Sequence, residues 1–220
     1  MGNSSVFDLI GPVMIGPSSS HTAGVVRLGW IAHHILGLMP TQVDIIFYNS
    51  FAKTYSGHGS DKAVIAGLMG FSTFDPRIRN SLSLAKQRGM KYHFRPSHNS
   101  LNRHPNTLEI RGQHGKDRVH LVGESTGGAK VRVSHVNDFS CNFHHDSPTL
   151  LIFAEDKKGS IAQITTLICE TNSNIASMTL DRKAKHGEVL MGLVLDQNLP
   201  NYVLDQIKAL PWVEKIKYLS

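Results

Sequence analysis

Thr149-Leu150-Leu151-Ile152-Phe153-Ala154, then Glu155-Asp156-Lys157-Lys158-Gly159, then Ser160-Ile161-Ala162-Gln163-Ile164-Thr165-Thr166-Leu167-Ile168-Cys169-Glu170: an apolar run, a charged loop closed by glycine, and a segment whose apolar residues recur at helical spacing. The first piece has the length and side chains of a buried strand, the last those of an amphipathic helix. Ile175 to Asp181 and Glu188 to Leu195 read as two strands around a His186-Gly187 turn. Pro200 to Leu210 reads as a helix with proline near its first turn, and Val213 to Tyr218 as a last strand. The order is βαββαβ, the split arrangement of ferredoxin-like folds. A lone unit of this kind leaves a sheet face or edge to cover, so a homodimer through this or the N-terminal domain is expected.

Upstream, periodicity lapses between Asn137 and Ser147, where polar residues accumulate. That stretch reads as a linker between domains at 1–140 and 148–220. The first domain also reads as α+β. Thr22 to Leu38 carries apolar residues at helical spacing, with Ser20 or Thr22 as its cap, and Val43 to Tyr48 alternates as a strand. A loop then leads through Tyr55 to Ser60 into a helix from Asp61 to Met69, with Ser60 as N-cap. Asp75-Pro76 starts a third helix that Gly89 ends. Strands follow at Lys91 to Phe94, Asn106 to Arg111, Arg118 to Val122 and Lys130 to Val136.

Composition narrows the function. The 220 residues are 40% apolar and 18% charged, with no apolar run long enough to span a membrane. The N-terminal residues have no basic region followed by an apolar stretch, so they do not read as a secretory signal. The two cysteines, Cys141 and Cys169, lie far apart and form neither a metal cluster nor a disulfide framework. A cytoplasmic location is expected. Net charge is +6, but the basic residues are scattered and mixed with acids, which argues against nucleic-acid binding. Of the 13 histidines, the pairs His33-His34 and His144-His145 lack the spacing and partnering acid of a helical zinc site, so a zinc hydrolase is disfavoured.

Two segments concentrate reactive side chains. Gly16-Pro17-Ser18-Ser19-Ser20-His21-Thr22 delivers hydroxyls, an imidazole and a helix N-terminus to one place. That suits a carboxylate or phosphate, and it also suits a plain helix cap. Ser56-Gly57-His58-Gly59-Ser60-Asp61-Lys62 leaves the His58 ring open between two glycines. It is either a proton-transfer group working near neutral pH or an exposed loop histidine. His104-Pro105-Asn106-Thr107 enters a strand, and Gly123-Glu124-Ser125-Thr126-Gly127-Gly128-Ala129 lies between strands, as an anion-binding nest or a turn.

Taken together and in this order, these segments resemble the β chain of iron–sulfur L-serine dehydratases over the whole chain. The resemblance includes Ser5-Val6-Phe7-Asp8 and Ser50-Phe51-Ala52-Lys53-Thr54 as well. Members of that family often read Ser-Ile-Gly-Gly-Gly where this chain has Ser125-Thr126-Gly127-Gly128-Ala129. The first domain is also similar to the allosteric substrate-binding domain of some phosphoglycerate dehydrogenases. The second resembles an ACT domain, with Asp156 to Ser160 as its first strand-to-helix loop.

The resemblance implies removal of water from L-serine to give aminoacrylate, which becomes pyruvate and ammonia. A base takes the Cα proton, and an open iron of a 4Fe-4S cluster helps the hydroxyl leave. Clusters are anchored by three or four thiolates, so two distant cysteines do not suffice. The cluster is expected on a separate α chain, with no metal in this one and the active site where the chains meet. By position in the matching segments, His58 is the proton-transfer candidate, and His21 is the second candidate or an orienter. Ser18, Ser19, Ser20 and Thr22 would bind the serine carboxylate or orient His21, with Lys62 and Asn106 in support. The ACT resemblance implies a small amino acid near Asp156, Gly159 and Ser160, or a purely dimerising role. The competing reading is a non-catalytic amino-acid-binding regulatory subunit.

Overall fold

The computed structural model describes residues 14–98 and 102–220, and the chain divides into two compact units, 1–137 and 138–220. In the first unit a π-wound turn, Ser19–Ala23, runs into helix α1 (Gly24–Leu36), followed by β1 (Gln42–Tyr48), the short α2 (Asn49–Thr54) and α3 (Ser60–Leu68). A 3-10 turn, Pro76–Asn80, leads into α4 (Ser81–Gln87), and four strands follow: β2 (Lys91–Ser97), β3 (Thr107–His114), β4 (Asp117–Gly127) and β5 (Lys130–Val136). The strand order within this unit is β2-β1-β3-β4-β5. β1 and β2 run parallel through the helical crossover between them, and the other neighbours are antiparallel. Alternate residues of the sheet, including Val43, Ile45, Phe47, Leu108, Ile110 and Leu121, are fully buried.

Helix α1 packs across β3, β4 and β5 and against α3. Two glycines set the closeness of that helix pair. A Cβ on Gly67 would lie 2.1 Å from the Val26 carbonyl, and one on Gly29 would lie 2.5 Å from the Val64 carbonyl. Backbone meets backbone at this crossing, which no larger residue allows. The pair is tied again at its leading ends, where the Ser60 hydroxyl donates to the His21 carbonyl at 2.7 Å.

Several local expectations are corrected. Ser18, and neither Ser20 nor Thr22, caps the first helical turn, its Oγ accepting from the His21 amide at 3.1 Å. Ser60 is not an N-cap. Gly59 precedes α3 in the left-handed region at φ 72°, and the Ser60 side chain is committed to His21. Residues 49–54, expected as loop, form α2 because the amides of Ser50 and Phe51 both donate to the Pro105 carbonyl. The expected linker contains a strand, β6 (Phe139–His144), in which Phe139 and Phe143 are buried at period two beneath the polar residues that masked them.

The second unit continues with β7 (Thr149–Glu155), α5 (Ser160–Cys169), β8 (Ile175–Arg182), β9 (Glu188–Leu195), α6 (Asn201–Lys208) and β10 (Val213–Leu219). From β7 onward this is the βαββαβ order read in the sequence, with an antiparallel sheet ordered β10-β7-β9-β8. Leu150, Ile152, Ile164, Ile168, Leu193, Val203, Ile207 and Trp212 form its core. Burying side chains of this size contributes about 1.5–3 kcal/mol each. No helix among the described residues is long and apolar enough to cross a membrane.

Candidate active site

The π-wound turn and the Gly57-His58-Gly59 turn bring two imidazoles together. The rings of His21 and His58 are 4.9 Å apart, and the Phe51 ring stands edge-on to His21 at 5.0 Å. Gly16 shapes the approach. At φ 131° it lies so close to Thr22 that a Cβ would stand 2.4 Å from the Thr22 methyl carbon. Each imidazole is held differently. His21 is partly buried, with Nδ1 3.4 Å from Ser18 Oγ and with Nε2 buried and lacking a hydrogen-bond partner among the described residues. His58 is exposed, its Nδ1 3.4 Å from the Thr54 carbonyl, and its own carbonyl accepts from Thr22 Oγ1 at 3.3 Å.

Burial lowers the pKa of His21 below its ordinary 6.5, and the neighbouring His58 lowers it further. Both causes disfavour a positive charge on His21, so its ring is held neutral at neutral pH. Beside the pair opens a cleft of about 460 Å³. His58, Thr22, Gly16 and Pro17 form one part of its lining, with Ser56, Gly57, Gly59 and Lys62 contributed by the second turn and the start of α3. Ile15, Ile78 and Arg79 complete it.

Of the residues singled out in the sequence, His58, Thr22 and Lys62 line one cleft, while His21 reaches it only through its ring contact with His58, and Ser18 through His21. Ser19 and Ser20 lie in the π-wound turn and are not among the cleft residues. Asn106 lies outside it too. Its amide donates to His104 Nδ1 and its carbonyl accepts from the Ser125 amide, so it fastens the segment that supports α2 and Phe51. Arg79 and Phe51 drew no attention in the sequence reading. Phe51 stood inside a matching segment, whereas Arg79 carries no local signal at all.

The Gly127-Gly128-Ala129 stretch is the turn between β4 and β5, and Ala129 holds φ 61° where glycine is usual. Its carbonyl accepts from Arg27 of α1 at 2.9 Å, which ties the turn to that helix.

The chain's thiols do not fit an iron–sulfur cluster. Cys141 is pushed up to about 12, first by burial and then by the charge of Asp181, so it is a protonated thiol at neutral pH. Cys169 is exposed at the end of α5. Among the described residues no group of three or more His, Cys, Asp or Glu side chains is placed to hold a metal ion.

The serine dehydratase beta chain family model matches residues 5–134, a range that includes both imidazole turns and the whole cleft. The chain belongs to the serine dehydratase beta chain family. Bacillus subtilis (strain 168) has a relative described as "Probable L-serine dehydratase, beta chain", 40% identical over 216 residues and covering 98% of both chains. The "L-serine dehydratase, beta chain" of Peptoniphilus asaccharolyticus is 30% identical over 221 residues, the full length of both. A D-3-phosphoglycerate dehydrogenase of Methanocaldococcus jannaschii is 24% identical over 194 residues, 88% of this β chain and 36% of the dehydrogenase. A solved ACT domain from the GTP pyrophosphokinase of Chlorobium tepidum covers 33% of this β chain and 95% of its own, at 25% identity and a TM-score of 0.28. The matching segment Ser5 to Asp8 lies outside the described residues of the β chain.

In the second unit of this β chain, the Asp156 carboxylate accepts from the His186 amide at 3.1 Å and from Arg182 at 2.9 Å. These bonds, the amide's first, hold it below the usual carboxylate range. Gly159 adopts φ 86° as the residue before α5, and Ser160 is buried behind it.

Proposed function

We propose that this chain is the β subunit of a two-chain L-serine dehydratase, converting L-serine to pyruvate and ammonia in an active site completed by a separate, cluster-bearing α chain. Family membership and the names of its full-length relatives support the activity. The observation that carries the site is the imidazole pair beside the cleft, one ring buried and neutral, the other exposed to whatever enters.

His58 takes the Cα proton of L-serine. The electrons of that C–H bond form a Cα–Cβ double bond as the Cβ–O bond breaks, and the departing hydroxide takes up a proton to leave as water. Aminoacrylate remains, tautomerises to the imine and is hydrolysed to pyruvate and ammonia. His21, fixed through Ser18 and packed on Phe51, positions His58 and keeps a second charge out of its surroundings. A positioned base contributes about 10²–10⁴-fold to rate.

The 4Fe-4S cluster implied by the family resemblance belongs on the partner chain, because the two cysteines here do not fit one. The second unit is assigned amino-acid sensing or dimerisation in the manner of an ACT domain. Its ligand would sit at the Asp156 to Ser160 turn, where Gly159 enters α5 from the left-handed region.

Anaerobic co-expression with a cluster-bearing α chain, followed by a pyruvate assay on L-serine, tests the reading. Pyruvate is expected from the combined chains and from neither alone. A stable complex with an intact cluster and no turnover would instead make this chain an amino-acid-binding regulatory subunit.

A further inference from the structure

Of the hydroxyls expected to receive the substrate carboxylate, those of Ser18 and Thr22 are already occupied, as is that of Ser60 beside them. Ser18 Oγ accepts from the His21 amide and faces His21 Nδ1, Thr22 Oγ1 donates to the His58 carbonyl, and Ser60 Oγ donates to the His21 carbonyl. A hydroxyl has a single hydrogen to give, so Thr22 and Ser60 have none left for an incoming carboxylate. Two cations face the same cleft, Lys62 at the first turn of α3 and Arg79 on the 3-10 turn. Among the described residues neither forms an ion pair, although Arg77, two positions from Arg79, is held by Asp75 at 2.6 Å. Among the described residues Arg79 is thus a guanidinium left available in the lining of the cleft that also holds the exposed His58 imidazole.

We propose that the Lys62–Arg79 wall is an anion seat, and that Arg79 binds the carboxylate of the amino acid on which His58 acts. This rests on the dehydratase reading for its substrate, but the seat itself is defined by charge and geometry. A guanidinium presents paired donors that match a carboxylate's two oxygens, while Lys62 adds a point charge. The seat selects small amino acids with a free carboxylate over their amides or esters, and it makes Arg79 a specificity-determining residue.

The test uses the anaerobically assembled complex, titrated calorimetrically with L-serine and with L-serinamide, which lacks the carboxylate, beside pyruvate assays. Wild type is expected to prefer L-serine. Arg79→Met is expected to weaken L-serine binding about tenfold to a hundredfold, in line with the loss of a charge-assisted hydrogen bond, and to leave L-serinamide unchanged. KM for L-serine rises while kcat holds, and Arg79→Lys restores part of the loss. Equal L-serine affinity in wild type and Arg79→Met overturns the proposal. So does a matching loss for both ligands, which would mark a structural role. Arg79-dependent binding without pyruvate formation would sink the dehydratase reading and leave the anion seat standing, whereas wild type that binds no L-serine would sink both.

Discussion

His21 and His58 are the same side chain in two different settings, and burial divides their roles. Burial makes the His21 ring lose its proton more readily, which suits the orienting role proposed for it, and exposure suits the proposed role of His58 in meeting the substrate. Replacing His58 with Asn keeps a polar group of similar size without a titrating nitrogen. Turnover of the assembled enzyme is then expected to fall by about 10²–10⁴, with complex formation and iron content unchanged on gel filtration and metal analysis. Retained turnover would remove His58 from the chemistry. Acid stability separates two other groups. His21 binds its proton less readily in the native state than in the unfolded chain, where it titrates near 6.5. The unfolded state therefore takes up more protons, and native stability declines as pH drops below about 6.5. His21→Gln should flatten the loss between pH 7.5 and 5.5 in denaturant titrations. Glu109 acts further down. Hydrogen bonds from His120, then Tyr48 and Arg111, hold its carboxyl at about 2 against an ordinary 4.5. Its contribution is present above 4.5 and disappears as pH falls towards 2, so Glu109→Gln should flatten only that lower limb.

The α1–α3 crossing is where element geometry reaches the site, because the turn carrying His21 runs directly into α1 and is bonded to Ser60 at the start of α3. Gly67→Ala puts a methyl 2.1 Å from the Val26 carbonyl. Separating the helices to admit it should cost about 1–3 kcal/mol by urea denaturation and should also lower turnover, since the imidazole turns separate with them. Gly89→Ala is the contrast. At φ 80° with nothing within 4 Å, it costs only the left-handed backbone strain of about 1–2 kcal/mol and should leave turnover unchanged. Equal effects on activity would mean that the crossing does not set the site. Elements of this length also governed what could be read in advance. The βαββαβ order was legible because β7 and β9 are apolar runs of strand length and the segment that forms α5 carries apolar residues at helical spacing. The six-residue α2 was not, since it exists through two amides bonded to Pro105 rather than through a pattern of its own. β6 hid its period-two phenylalanines among polar neighbours. At the site, His21, His58 and Thr22 were legible from glycine and hydroxyl punctuation. Arg79 was not, because only the tertiary fold brings the 3-10 turn to the cleft.

At the scale of the whole molecule, the proposed two-chain enzyme puts its iron on the partner, and thiol supply supports that placement. A cluster takes three or four thiolates, and the 220 residues contain two cysteines, one of them held protonated by burial. Anything that binds the native chain and not the unfolded one raises its stability, by about 2.7 kcal/mol at a hundredfold excess over Kd. If this chain held the cluster, its unfolding midpoint would rise with iron and sulfide and fall with a chelator. We expect no such response from the isolated chain. The assembled enzyme should lose turnover on exposure to air or chelator, and the released iron should trace to the partner after anaerobic separation of the two chains. Stoichiometric iron on the isolated β chain, or a midpoint that follows iron concentration, would place the cluster here and overturn the division of labour between the two chains.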